Sequence, residues 1–210
     1  MDCFICNSEA KERLKKGSVV YYECSNCKTL FSGELDNSNM VGGRFELERN
    51  VNQNEIRIQR INEMFDGYDK STVNILDFGC GNGLLVSDLK HVGYNAIGFD
   101  AYNEKYSERP ENNKYHLITC VEVVEHLSQP YFELDVMFRS LTKNGIVMFE
   151  TSFVNVADEE GIPLEDYDYI EPKVGHSTIF SHHGLDLLMA LKGFKPFRHT
   201  NRHVRVFQKK

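Results

Sequence analysis

The segment Val73-Asn-Ile-Leu-Asp-Phe-Gly-Cys-Gly-Asn-Gly83 limits the fold of this chain more than any other. Residues 73–78 read as a buried strand; Gly79, Gly81 and Gly83 break it, and Leu84, Leu85, Val86 and Leu89 follow at helical spacing. Strand, glycine turn and helix in that order open a βαβ unit, because glycine lets the backbone turn sharply and aim amide groups at a ligand. The next predicted strand, residues 95–100, ends in Asp100, 21 residues after Gly79, where a carboxylate accepts the hydroxyls of a ribose. A nucleoside-bearing ligand is implied. The dinucleotide fingerprint needs a third glycine three places after its second, but that place holds Leu84. Asp77 would also repel a pyrophosphate while suiting a cationic ligand.

The alternation of strand and helix continues, which predicts a parallel sheet. Strands are expected at 115–121 and 145–151, with helices over 131–141 and over 182–192, the latter capped by Ser181 and closed by Gly193. Residues 194–197 and 204–208 predict a terminal strand pair. Val51, Ile56, Ile61, Met64 and Phe65 predict an amphipathic helix leading into this domain. Residues 1–45 stand apart, with four of the six cysteines, a β-prone stretch at 18–22 and a Gly42-Gly43 exit; residues 46–210 form the main domain. A chain of 210 residues holds one core plus a small appendage. It has no apolar run near the roughly 18 residues of a spanning helix, and its start, Met1-Asp2-Cys3-Phe4, carries no leader pattern. A soluble, cytoplasmic protein without membrane contact is expected. The net charge of −7 argues against a protein that grips long nucleic acid through its phosphates.

The string Asp77-Phe-Gly-Cys-Gly-Asn-Gly83 resembles the first motif of class I S-adenosylmethionine-dependent methyltransferases, and Gly98-Phe99-Asp100 resembles their second. Residues 119–127, Thr-Cys-Val-Glu-Val-Val-Glu-His-Leu, look like the fourth-strand motif of the ubiquinone-type small-molecule O-methyltransferases, and Leu141-Thr-Lys-Asn-Gly145 stands at that family's turn before the fifth strand. The resemblance covers about residues 60–210. It implies an α/β Rossmann-like sheet of seven mostly parallel strands with an antiparallel last strand. It also implies S-adenosylmethionine as cofactor, a small-molecule acceptor, and cofactor contacts at Asp77, Gly79, Cys80, Gly81, Gly83, Asp100, Ala101, Cys120, Val121 and Glu122. Two departures stand out. Only about fifteen residues separate Asp100 from the fourth strand, so the usual third strand and its helix are shortened or missing, and His116 replaces an acid that often begins the fourth strand.

Methyl transfer asks for an in-line approach, exclusion of water and a deprotonated nucleophile, so a base is optional. His126 and His176 are the candidate bases, since histidine changes protonation near neutral pH. Glu122, Glu125 and His126 lie three and four residues apart, which would put them on one helical face, and with His176 they form a candidate site for a second divalent cation. This set resembles that of the metal-holding small-RNA 2′-O-methyltransferases. The alternative is that the two acids pair locally and His126 is a packed histidine. Residues 158–169, acidic and rich in tyrosine, are a candidate substrate lid.

Cys3-x2-Cys6 and Cys24-x2-Cys27, separated by seventeen residues, have the spacing of two knuckles around one tetrahedral zinc. Four thiolates leave no open coordination position, so this zinc would be structural and would fold a zinc-ribbon-like unit too small to hold itself together. Three readings remain open: a small-molecule methyltransferase, an RNA methyltransferase whose knob holds the strand, and a cofactor-binding scaffold without turnover.

Overall fold

The computed structural model describes residues 1–33, 47–127, 130–198 and 200–210, with backbone alone for 47–52 and 130–132. The expected exit at Gly42-Gly43, and with it the boundary near residue 45, lies outside the described residues.

Two sheets organise the described residues. The small one has the order β1-β2-β3-β8, built from β1 (Ala10–Lys16), β2 (Val19–Cys24), β3 (Leu30–Ser32) and β8 (Thr178–Ile179). The main one has the order β5-β4-β6-β7-β10-β9, from β4 (Asn74–Phe78), β5 (Asn95–Phe99), β6 (Tyr115–Val121), β7 (Leu141–Glu150), β9 (Phe194–Pro196) and β10 (Val204–Lys209). Strands β5, β4, β6 and β7 run parallel, while β10 is antiparallel to both its neighbours. Helices α1 (Leu47–Met64), α2 (Leu84–His91), α3 (Pro130–Ser140), α4 (Val154–Glu160) and α5 (His182–Leu191) connect the strands. Among the described residues no helix is long and apolar enough to cross a membrane.

The expected seventh strand is missing among the described residues, which correct that count to six. Residues 101–114 hold six charged side chains and no apolar run, so nothing there repays burial between two layers. They make a 3-10 turn (Glu104–Tyr106) instead, and β5 is left as a half-exposed edge strand.

Period-two alternation decides which layer each strand residue joins. Ile75, Leu117, Ile146 and Met148 pack with Ile61, Leu85 and Leu89 from α1 and α2. Leu76, Ile118, Val147 and Phe149 face the other way, into a core shared with Leu134, Leu185 and Leu188. That second core runs on without a break into Tyr21, Leu30, Phe31 and the buried cysteines. The cysteine unit is therefore docked by apolar burial as well as by the β3–β8 pairing.

Candidate active site

The glycine turn follows β4. Gly79 has φ +77°, the left-handed region, and a Cβ added there would run into the Val123 side chain, so both backbone and space require glycine. The amides of Gly79 and Cys80 both donate to the Phe99 carbonyl, at 2.7 and 3.0 Å, which ties the turn to the end of β5. Asp100 completes the tie: one carboxylate oxygen accepts from the Gly81 amide and the other from the Tyr102 amide, each at 2.8 Å. A carboxylate offers about four lone-pair sites, so acceptor capacity remains for a ribose.

Asp77 lies beneath the turn, almost fully buried, and accepts from the Thr119 hydroxyl at 2.7 Å. Burial pushes its carboxyl up to about 6, against the hydrogen bond from Thr119 and the charge of Arg57. Arg57, on α1, grips Glu150 at the end of β7 through Nη2 at 2.6 Å and Nε at 3.1 Å, while Asn54 and Gln53 accept from Nη1 and Nη2 at 2.9 Å. A carboxyl whose folded pKa is raised loses stability as pH rises from its unfolded value near 4 through about 6. Asp77→Asn is therefore expected to flatten this decline and to add roughly 2 kcal/mol at neutral pH. Urea unfolding of both proteins at pH 4.5 and 7.5 checks it; a variant less stable than wild type at pH 7.5 would refute the assignment.

Beyond β6 the chain makes a tight corner. Glu122 sits at φ +50°, and Val124–His126 is a 3-10 turn rather than the expected α-helical face. The fully buried Glu125 accepts from Tyr169 Oη at 2.5 Å and Thr151 Oγ1 at 3.1 Å, and Glu122 lies 2.9 Å from the same phenol. Tyr169 owns one proton and cannot donate to both acids and to Thr151 at 2.8 Å. A protonated Glu122 resolves the count by donating to the phenol oxygen, in keeping with its pKa, raised to about 8 by burial and by Glu125. The acids thus hold a shared proton, not two charges.

His176 meets this group from the other side. Its Nδ1 lies 2.6 Å from the Tyr169 carbonyl; a carbonyl only accepts, so Nδ1 carries the proton and Nε2 presents the lone pair. The rings of His126 and His176 are 4.7 Å apart, and burial lowers the pKa of both, that of His126 to about 4. Glu125, His126 and His176 offer ligand atoms within 4.8 Å of one another, a donor set that fits a divalent ion; Glu122 is not part of that set and meets it through Glu125 and Tyr169.

Residues 48–199 match the model of the family described as Methyltransferase domain. The chain belongs to this methyltransferase family. The ubiquinone biosynthesis O-methyltransferase of Rickettsia typhi is 30% identical over 121 residues, 47% of this chain and 49% of that protein. That of Pasteurella multocida is 24% identical over 130 residues, 47% and 53% of the two chains. The chain spans about half the length of the curated relatives it matches. Magnesium protoporphyrin IX methyltransferase from Synechocystis, solved with bound SAH, superposes with a TM-score of 0.51 at 14% identity, over 80% of this chain and 90% of that one. A Burkholderia thailandensis 1,6-didemethyltoxoflavin-N1-methyltransferase, solved with S-adenosylhomocysteine, gives 0.51 at 10% identity over 96% and 100%. At these identities the likeness speaks for the fold, that of the S-adenosylmethionine-dependent methyltransferases.

Within this member of the family the predicted residues fall into two groups. Asp77, Gly79, Cys80, Gly81, Gly83, Asp100 and Ala101 gather at the ends of β4 and β5; Cys120, Val121, Glu122, Glu125 and His126 follow along β6 and its corner, and His176 joins them from the segment before β8. Cys80 and Cys120 are held as thiols, Cys80 up to about 12, because burial penalises the thiolate. Sequence reasoning did not single out Arg57, Thr151, Tyr169 or His203. The antiparallel course of β10 brings His203 to the same sheet edge, where its carbonyl accepts from Thr151 N at 3.0 Å. Only Tyr169 had a signal, its place in the predicted lid.

The four cysteines lie outside the family match. Cys3 and Cys27 sulfurs are 3.7 Å apart and those of Cys6 and Cys24 3.5 Å, and all four lie within 4.8 Å. A tetrahedron with about 2.3 Å metal–sulfur bonds has edges of roughly 3.8 Å, whereas a disulfide is about 2.05 Å long. Amides of Ile5 and Cys27 donate to Cys3 and Cys24 sulfurs at 3.4 Å, stabilising thiolate charge. The set fits a zinc ion.

Proposed function

We propose that this protein transfers a methyl group from S-adenosylmethionine to an oxygen of a small-molecule acceptor. The observation that carries this reading is the glycine turn tied to Asp100 at the strand ends, with the histidine cluster at the neighbouring strand. When bound, the cofactor supplies a methyl group already activated on a sulfonium. Asp77 and the turn of Gly79, Cys80, Gly81 and Gly83 face its methionine part; Asp100 and Ala101 serve the ribose, and Cys120, Val121 and Glu122 complete the wall. His176 Nε2 takes the acceptor proton, and His126 packs beside it.

A second reading adds a divalent cation at Glu125, His126 and His176. Its support is the clustering of their ligand atoms, with the His176 Nδ1 proton fixed on Tyr169 as ligating histidines usually are. The cation would polarise an acceptor oxygen. We assign residues 1–45 as a structural zinc unit and 46–210 as the methyltransferase domain. An RNA acceptor is disfavoured because the basic run of β1 is matched by acids: Lys11 with Glu9, Arg13 with Glu23 and Glu165, Lys15 with Glu12.

Calorimetric titration with S-adenosylmethionine and S-adenosylhomocysteine tests the reading. Wild type is expected to bind both, and Asp100→Ala to bind at least about thirtyfold more weakly, since two charge-assisted hydrogen bonds are lost. Wild-type protein that binds neither ligand would overturn it.

A further inference from the structure

The segment that carries His176 is held from two sides. On one, the Ser177 amide donates to the Glu125 carbonyl at 2.8 Å, and the Ser177 hydroxyl lies 3.1 Å from the carbonyls of Glu125 and Leu127. On the other stands the cysteine unit. Leu30 and Phe31 of β3 pair with Ile179 and Thr178 of β8, and the Ser32 amide donates to the Ser177 carbonyl at 2.9 Å. The fully buried Tyr21 donates its hydroxyl to the His176 carbonyl at 2.6 Å. Ser181, the cap of α5, donates to the Cys27 carbonyl in the second cysteine knuckle.

These contacts leave little of an independent knob. An exposed strand edge invites pairing with a partner, but the outer edge of β3 is taken up by β8, two residues from His176. The buried His176 carbonyl has its donor in the cysteine unit, and a buried polar group left without its donor is costly. Tyr21 sits on β2, three residues before Cys24, so the strand that supplies a sulfur also supplies that donor.

We propose that Tyr21 is a positioning residue: the cysteine unit, once loaded with metal, holds His176 in register against His126 and Glu125, so the order of the active cluster depends on zinc bound at Cys3, Cys6, Cys24 and Cys27. This inference rests on reading the two histidines as the catalytic pair of a methyltransferase. It gives the unit a task other than substrate capture.

The test uses the whole zinc-loaded chain with isotope-labelled histidine. Two signals report the geometry: the nuclear Overhauser effect between the His126 and His176 rings, and hydrogen-exchange protection of the Ser177 amide. In Tyr21→Phe, which keeps the ring and removes the donor, the inter-ring signal is expected to fall at least threefold and Ser177 exchange to speed up about tenfold. Affinity for S-adenosylmethionine is expected to stay within twofold. Tyr21→Phe signals equal to wild type would overturn the proposal. Should the variant not fold, the same signals followed in wild type while zinc alone is withdrawn and returned decide the matter: loss and recovery together support it, and constancy overturns it. Failure of the methyltransferase reading would show separately, as absence of cofactor binding by wild type.

Discussion

Gly79→Val is expected to abolish measurable binding of S-adenosylmethionine and to lower the thermal midpoint by roughly 10 °C. Two penalties add at this position. A β-branched residue at φ +77° is strained by about 1–2 kcal/mol, and its side chain would enter the space held by Val123, where overpacking costs about 1–3 kcal/mol. For a domain of this size each kcal/mol shifts the midpoint by about 2–4 °C. The functional loss has its own cause. Val123 sits between Glu122 and Val124, so pushing it away moves the corner that carries both acids, while the turn loses its tie to Phe99. Gly81→Ala is the informative contrast. Its φ is +53° but nothing lies within 4 Å of an added Cβ, so only strain remains and the midpoint is expected to drop by less than half as much. Scanning calorimetry and titration on the two variants check this. A Gly79→Val protein with wild-type midpoint and affinity would show that the turn is not a close-packed cofactor cradle.

Cys24→Ser is expected to empty the zinc unit and to disorganise the small sheet with it. Structural zinc in small domains supplies about 10–16 kcal/mol at neutral pH, comparable with the entire 5–15 kcal/mol stability of a typical domain. The buried apolar side chains of residues 1–33, among them Ile5, Leu14, Tyr21, Leu30 and Phe31, are too few to offset such a loss. Because Tyr21, Leu30 and Phe31 share one core with the main sheet, the damage does not stop at the unit. Elemental analysis is expected to find about one zinc per wild-type chain and almost none per variant chain, with a fall of more than about 10 °C in the midpoint. Wild-type protein that purifies without metal and melts as Cys24→Ser does would refute the structural zinc.

Much of this was legible from local pattern. The strand, glycine turn and helix around Gly79, the acid at Asp100 and the capping serine at Ser181 each rest on contacts within a few residues, or on one β-strand's periodicity. The cysteine spacing belongs to the same kind, since the two short Cys-x2-Cys pairs bring four sulfurs within 4.8 Å of one another. The short connection after Asp100 was visible too, and the charge of residues 101–114 is why the sheet stops at six strands.

Other features had no local mark. Arg57 looks like any helix arginine until α1 lays it against Glu150, 93 residues away. Tyr169 comes to lie between Glu122 and Glu125, its phenol within hydrogen-bond distance of both, only because its segment folds back over the β6 corner. Helical spacing of Glu122, Glu125 and His126 misled because the left-handed turn at Glu122 breaks the helix before it starts. The sequence by itself determined the βαβ turn, its acid and the pairing of the cysteine knuckles, since each follows from backbone conformation or residue spacing over a short span. Only the tertiary structure decided which acids share a proton and that the cysteine unit meets His176, because those depend on partners 44 and 155 residues distant in the chain, while the free nitrogen of His176 follows from a fold-back that seats its ring on the Tyr169 carbonyl seven residues before it.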